Sequence, residues 1–341
     1  MRALCKVHEG DGGVEIREVP APKIKEDELL VRVSHVGICG TDMHVVRDEY
    51  PANLPVIMGH EFSGTVCETG SGVSGFTAGD RIVSMVPGYT CGRCRFCQEG
   101  LLLQCTERKS FGSGMDGAMA EYIAVRADRV FKIPEQVQLR EAALIEPIGC
   151  CVRSVLEISR LRAGDYVYVS GPGAMGQIVV QLAKISGANV TVGGTDVDEN
   201  RLSLAKELGA DHVVNVQQED VFKKAADITG GEMYDVVYEC AGAQPSADTC
   251  LRLLRKCGQY VQVGLFGRQI AFDMDHALIN QKHIVNSFGS ERSSFATAIR
   301  LMKDGLLKVD RLISREYSLE EWQDAFAAAF EKTGYKIMFK L

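Results

Sequence analysis

Cys91, Cys94, Cys97 and Cys105 bring four thiols into fifteen residues, the densest chemistry in the chain. The spacing C-x2-C-x2-C-x7-C offers four sulfur ligands to one ion. Zinc prefers tetrahedral sulfur, and a site closed by four thiolates leaves no position for catalysis. The first three cysteines could also begin a bacterial iron–sulfur motif, which wants its fourth cysteine after three residues with a proline behind it. Here the gap is seven and Thr106 follows, so the spacing points to a structural zinc. A disulfide framework is a poor account of the twelve cysteines, because no secretory signal is visible and thiols of the cytoplasm stay reduced.

A second group of metal-ligating types is dispersed. It comprises Gly37-Ile38-Cys39-Gly40-Thr41-Asp42-Met43-His44, then Gly59-His60-Glu61-Phe62-Ser63-Gly64, then Glu146-Pro147. Taken singly, Cys39 or His60 reads as well as a core or surface residue as a ligand.

The third feature is a glycine loop. Tyr166-Val-Tyr-Val-Ser170 runs into Gly171-Pro172-Gly173-Ala174-Met175-Gly176, which is G-x-G-x-x-G between a strand and a helix. The first glycine allows the turn, the second lets a pyrophosphate approach the backbone, and the third lets helix and strand pack closely. The helix N-terminus then offers free N–H groups to the phosphates. Asp196 follows Gly176 by twenty residues, where an acid takes the ribose hydroxyls and repels a 2′-phosphate. NAD is therefore expected over NADP. The next basic residue, Arg201, falls inside the following helix. Gly193-Gly194-Thr195 loosens the strand end and leaves its register open by one residue.

These residues need a scaffold, and the texture of the chain suggests two. Residues 1–150 read as β-rich, with apolar runs at 29–33 and 119–125 and recurrent glycine turns. From about residue 155, short strands at 166–170, 190–192, 235–239 and 260–263 alternate with helix-length amphipathic segments. That alternation signals βαβ units and a parallel sheet. Helical stretches at 294–303 and 319–330 and a strand-like 336–339 close the chain. The expected domains are 1–153 with 294–341, and 154–293. Composition agrees with a globular enzyme: 46% hydrophobic, 24% charged and a net charge of −7. No basic block invites nucleic acid, and no apolar run is long enough for a membrane helix.

In order along essentially the whole chain, G-x-C-G-T-D-x-H, G-H-E-F-x-G, the four-cysteine lobe, Glu-Pro and G-x-G-x-x-G resemble the zinc-containing medium-chain alcohol dehydrogenases. The likeness is to their polyol and threonine dehydrogenase branch. The resemblance implies an α/β protein, with a GroES-like catalytic domain, a doubly wound Rossmann domain, and NAD(P) held against zinc in the cleft between them. It implies two zinc ions per chain, one structural and one catalytic. Cys39 and His60 resemble the two invariant ligands of the catalytic ion, with Glu61 or Glu146 as third. Asp42 resembles the carboxylate that orients His60, and Thr41 and His44 the pair that passes the alcohol proton to solvent. A cytoplasmic homo-oligomer, tetramer or dimer, is also implied.

The chemistry accounts for the residue types. A Lewis-acidic metal lowers the pKa of an alcohol, whose deprotonated form is the better hydride donor to nicotinamide. Glutamate at 146 is the polyol-type pattern, whereas the alcohol branch has cysteine there. Threonine dehydrogenases of this kind usually carry a histidine where this chain has Gly88, and Asp-Pro where it has Glu146-Pro147. Sorbitol dehydrogenases place a substrate-facing arginine where it has Gly289, with Glu291 and Arg292 nearby. A polyol or sugar-derived alcohol is the expected substrate, and L-threonine or a sugar acid the alternative. A non-catalytic NAD- or zinc-binding protein would be expected to lack Cys39, His60 or Thr41.

Overall fold

The computed structural model describes residues 1–331 and 334–341, which fall into two compact units. The first comprises 1–149, 290–304 and 309–341, and the second 150–289 and 305–308.

The first unit is built on a seven-stranded sheet whose central strand, Glu28–Gly37, pairs antiparallel with Glu61–Thr69, Tyr122–Arg126 and the C-terminal strand Lys336–Lys340. Leu29, Val31 and Val33 alternate with the less buried Leu30, Arg32 and Ser34 and supply one buried face, as a half-buried strand should. Phe62, Val66, Ile123, Ile337 and Phe339 come to the same core from the paired strands. The apolar run at 119–125 becomes a strand only from Tyr122, because Ala118 and Met119 instead bond the 57–59 segment. The C-terminal chain thus returns to this unit through main-chain pairing.

The second unit is a six-stranded parallel sheet in the order 212–215, 189–194, 166–170, 234–239, 254–262, 283–286. Helices connect successive strands, which is the doubly wound α/β arrangement. In the helix Ala174–Ile185, Ile178, Val179, Leu182 and Ala183 are fully buried at helical spacing. The strand Asn189–Gly194 keeps its glycines in register, Gly193 beside Ser170 and Gly194 beside Asn215. A side chain at 193 would collide with Tyr168. Among the described residues no helix is long and apolar enough to cross a membrane.

Candidate metal centres and dinucleotide loop

Cys39 lies two residues past the central strand's end at Gly37 and caps the helix Gly40–Val46. Its backbone N–H donates to Asp42 Oδ2 at 2.8 Å, and Asp42 Oδ1 lies 3.6 Å from His60 Nδ1. One fully buried carboxylate therefore holds the cysteine's backbone and stands beside the histidine's ring. His60 follows Gly59, whose φ of +88° and crowding against Met119 leave no room for a Cβ. Glu61 opens the strand Glu61–Thr69 and pairs with Gly37.

Donor atoms of Cys39, His60 and Glu61 all lie within 4.8 Å of one another. Sulfur, imidazole and carboxylate form a donor set that suits zinc, and three protein ligands leave a position open for substrate. Burial opposes a charged His60, yet the Asp42 carboxylate and the Cys39 thiol push its pKa well above the usual value. The cluster thus concentrates groups that favour a cation, which is a fit to a bound metal. Glu146, on the helix Ile145–Val152, is 8% exposed but is not among the converging donors. Thr41 Oγ1 lies 3.8 Å from Cys39 Sγ, and His44 Nδ1 lies 2.6 Å from Glu49 Oε2.

Sequence reasoning passed over Lys336. Its ammonium forms an ion pair with Glu61, and the two side chains are 7% and 2% exposed. They meet across Gly37, where a Cβ would stand 2.5 Å from Glu61 Oε2 and 2.9 Å from Lys336 Cε. Burial favours the neutral amine, but Glu61 and then Cys39 outweigh it and raise the Lys336 pKa. The available signal was a lysine opening the apolar strand Lys336–Lys340.

The four-cysteine lobe lies between the short strands Pro87–Tyr89 and Lys109–Ser110. All four sulfurs lie within 4.8 Å of one another, Cys91 at 3.6 Å from Cys105 and 4.0 Å from Cys97. A tetrahedron with zinc–sulfur bonds of about 2.3 Å has sulfur–sulfur edges of about 3.8 Å. These separations fit one ion and are far too long for disulfides. The amides of Cys91 and Cys94 donate to Cys105 Sγ and Cys91 Sγ, so backbone dipoles already favour thiolates. Amides of Cys97 and Thr106 bring the Cys94 thiol down to about 6, while burial pushes Cys97 up to about 11.

In the second unit the three glycines do different work. Gly171 has φ +92°, and a Cβ at Gly176 would stand 2.0 Å from the Gly171 carbonyl. Gly173 caps the helix, Ala174 and Met175 open it, and nothing lies within 4 Å of a Cβ at 173. Open space at the second glycine is what a pyrophosphate needs. Asp196 stands just past the strand end, exposed at the start of the turn Asp196–Asp198. Its Oδ1 accepts from Asn215 and Gln218 at 2.7 and 2.8 Å. Arg201 pairs with Asp198 at 3.0 Å.

Two positions bear on substrate. A Cβ at Gly88 would stand 2.5 Å from Met115 Sδ and 2.7 Å from Phe111, so a side chain there would have to displace both. Arg292 donates to the Asp128 carbonyl at 2.7 Å and lies over the Phe131 ring, already engaged.

Comparison with known proteins assigns the chain to a family. The alcohol dehydrogenase GroES-like domain matches residues 25–135, and the zinc-binding dehydrogenase family matches residues 174–304. Sorbitol dehydrogenase of Halalkalibacterium halodurans is 35% identical over 99% of this chain and 98% of its own. D-arabitol-phosphate dehydrogenase of Enterococcus avium is 36% identical over 100% and 97%. A Sinorhizobium meliloti 1021 protein crystallised with NADP superposes with a TM-score of 0.92, at 32% identity, covering 100% of this chain and 99% of that one.

Proposed function

The chain belongs to the zinc-type medium-chain alcohol dehydrogenase family, an oxidoreductase acting on CH–OH groups, and on that footing we propose that it oxidises a secondary alcohol of a polyol or sugar derivative with NAD+. The observation that carries this reading is the convergence of Cys39, His60 and Glu61 within 4.8 Å, with Thr41 against Cys39.

When bound, zinc supplies the Lewis acidity that makes an alcohol acidic, and the nicotinamide supplies the hydride acceptor. Cys39, His60 and Glu61 would hold the catalytic ion, and Cys91, Cys94, Cys97 and Cys105 the structural one. Asp42 orients His60 through its ring nitrogen. Lys336 balances the charge of Glu61, and Glu146 adds its charge beside Lys336. Thr41 and His44 take the hydroxyl proton towards solvent. The loop Gly171, Gly173, Gly176 binds the pyrophosphate.

The preference for a polyol rests on Glu146; the relatives include sorbitol and D-arabitol-phosphate dehydrogenases and also L-threonine 3-dehydrogenases, and so do not choose between them. Gly88, crowded by Met115 and Phe111, argues against L-threonine. NAD is favoured because the Asp196 carboxylate would face a 2′-phosphate with like charge while Arg201 is held by Asp198. The Sinorhizobium protein's NADP makes this choice worth measuring directly. The enzyme is taken to be a cytoplasmic homo-oligomer, tetramer or dimer. Its test is a panel of polyols, polyol phosphates, sugar acids and amino alcohols with NAD+ and NADP+, read by reduced-cofactor absorbance. Turnover confined to amino alcohols would overturn the substrate assignment.

A further inference from the structure

The turn after the helix Gly40–Val46 is anchored by more charge than an ordinary surface turn. Lys6 is 1% exposed, and its Nζ meets Asp48 Oδ1 at 2.9 Å and the Val46 carbonyl at 3.0 Å. Asp48 Oδ2 accepts from the Gly10 amide at 2.8 Å. That amide, and then Lys6, hold the Asp48 carboxyl below its ordinary pKa. Asp48 also has φ +60°, a conformation that a residue with a Cβ adopts when its surroundings keep it there. This clamped turn delivers Glu49 to His44. The Glu49 N–H donates to the His44 carbonyl at 2.8 Å, and Glu49 Oε2 stands 2.6 Å from His44 Nδ1.

We infer that Glu49 is a positioning residue for His44, holding the ring with its proton on Nδ1 and its lone pair on Nε2, and that the Lys6–Asp48 clamp keeps Glu49 in place. An ionised carboxylate can accept from Nδ1–H but has no proton to donate, so in the neutral ring Nδ1 carries the proton and the tautomer follows from the contact. The inference rests on the proposed alcohol oxidation, in which His44 receives the proton that leaves the substrate hydroxyl by way of Thr41. Nε2 takes that proton and becomes imidazolium beside the Glu49 carboxylate. Nε2 then returns it to water, so no proton resides on Glu49 and the ring regains its starting tautomer. A buried carboxylate plays the same part behind the histidine of a hydrolytic triad.

The test uses zinc-loaded protein labelled with 15N-histidine, in which long-range proton–nitrogen correlation reads the protonation of each ring nitrogen. The His44 signals are those lost in His44→Asn. The wild type should show Nδ1 protonated and Nε2 bare. Glu49→Ala, at an exposed position that should not impair folding, should move His44 to the opposite tautomer or a mixture. Lys6→Met should do so partially. With a turned-over polyol and NAD+, Glu49→Ala should lower kcat roughly tenfold with KM changed less than twofold, a part of the ~100-fold or more typical of acid–base catalysis. Glu49→Gln, which can still accept from Nδ1, should recover part of the rate. An unchanged His44 tautomer in Glu49→Ala, or a loss seen in KM alone, would overturn the assignment. If the wild type turned over no alcohol the proposed function would fall, while the ring tautomer would still answer separately for the Glu49–His44 pair.

Discussion

Lys336 and Glu61 form a buried ion pair across Gly37, at the point where Glu61 joins Cys39 and His60. Two neighbouring strands bring them together. Glu61 pairs with Gly37 from one side, and Met338, two residues beyond Lys336, pairs with it from the other. A bound cation would compete with Lys336 for the same carboxylate, so the lysine would tune how freely Glu61 could act as a ligand.

Replacing Lys336 by Met should therefore destabilise the metal-free protein by about 3–5 kcal/mol, the usual cost of leaving a buried charge unpaired. Glu61→Gln combined with Lys336→Met should recover much of that loss. Denaturant melts of the two single variants and the double variant measure the coupling. Additive losses would mean that the pair contributes nothing as a pair.

Gly37→Ala should fail for a steric reason at the same place. The new methyl would press on Glu61 and Lys336 together, displacing a ligand and its counter-charge. Zinc bound at the Cys39 site should fall while the lobe zinc stays. Unaltered metal content would show that the site yields more easily than this packing implies.

The lobe predicts an order of thiol reactivity. In metal-depleted protein Cys94 titrates near 6 and Cys97 near 11. At pH 7, iodoacetamide should alkylate Cys94 first and Cys97 last, as peptide mass spectrometry would read. The depressed Cys94 value means that its thiolate favours the fold above the ordinary thiol pKa and that this contribution is lost as pH falls through about 6. Zinc should accordingly leave the lobe on acidification. Cys94→Ser should lower thermal stability or assembly, and loss of turnover with stability and assembly intact would contradict a structural role.

Much of this was legible in the sequence because the relevant spacing is local. The lobe cysteines and the 171–176 loop each lie within one short segment, so spacing alone carries the chemistry. Four of the six parallel strands were readable as apolar runs between amphipathic helices, whereas the outer strands 212–215 and 283–286, each opening on a histidine and ending on an asparagine, were not. Lys336, Gly37 and Glu49 were not. Lys336 reaches Glu61 from 275 residues away through sheet pairing, and the need for glycine at 37 appears only once two side chains converge there. Glu49 lies close in sequence, but nothing in its spacing announces that Asp48 adopts a left-handed conformation. The ambiguity at Gly193-Gly194-Thr195 disappears because main-chain pairing to Ser170 and Asn215 fixes the register.

Cofactor choice should respond to Asp196. Its carboxylate is held by Asn215 and Gln218, so Asp196→Ala should weaken NAD+ and narrow its advantage over NADP+. Comparing kcat/KM for the two cofactors in wild type and variant decides this. A wild type that prefers NADP+ would show that Asp196 does not face the ribose.

Cys39 and His60 should hold a zinc ion needed for alcohol oxidation, apart from the zinc of the lobe. Metal content and NAD+-dependent turnover measured on the same preparations of wild type and Cys39→Ser test it most directly. Wild type should carry two zinc ions per chain and turn over, against one zinc, an intact fold and no turnover in the variant. Turnover retained by Cys39→Ser protein carrying only the lobe zinc would contradict it.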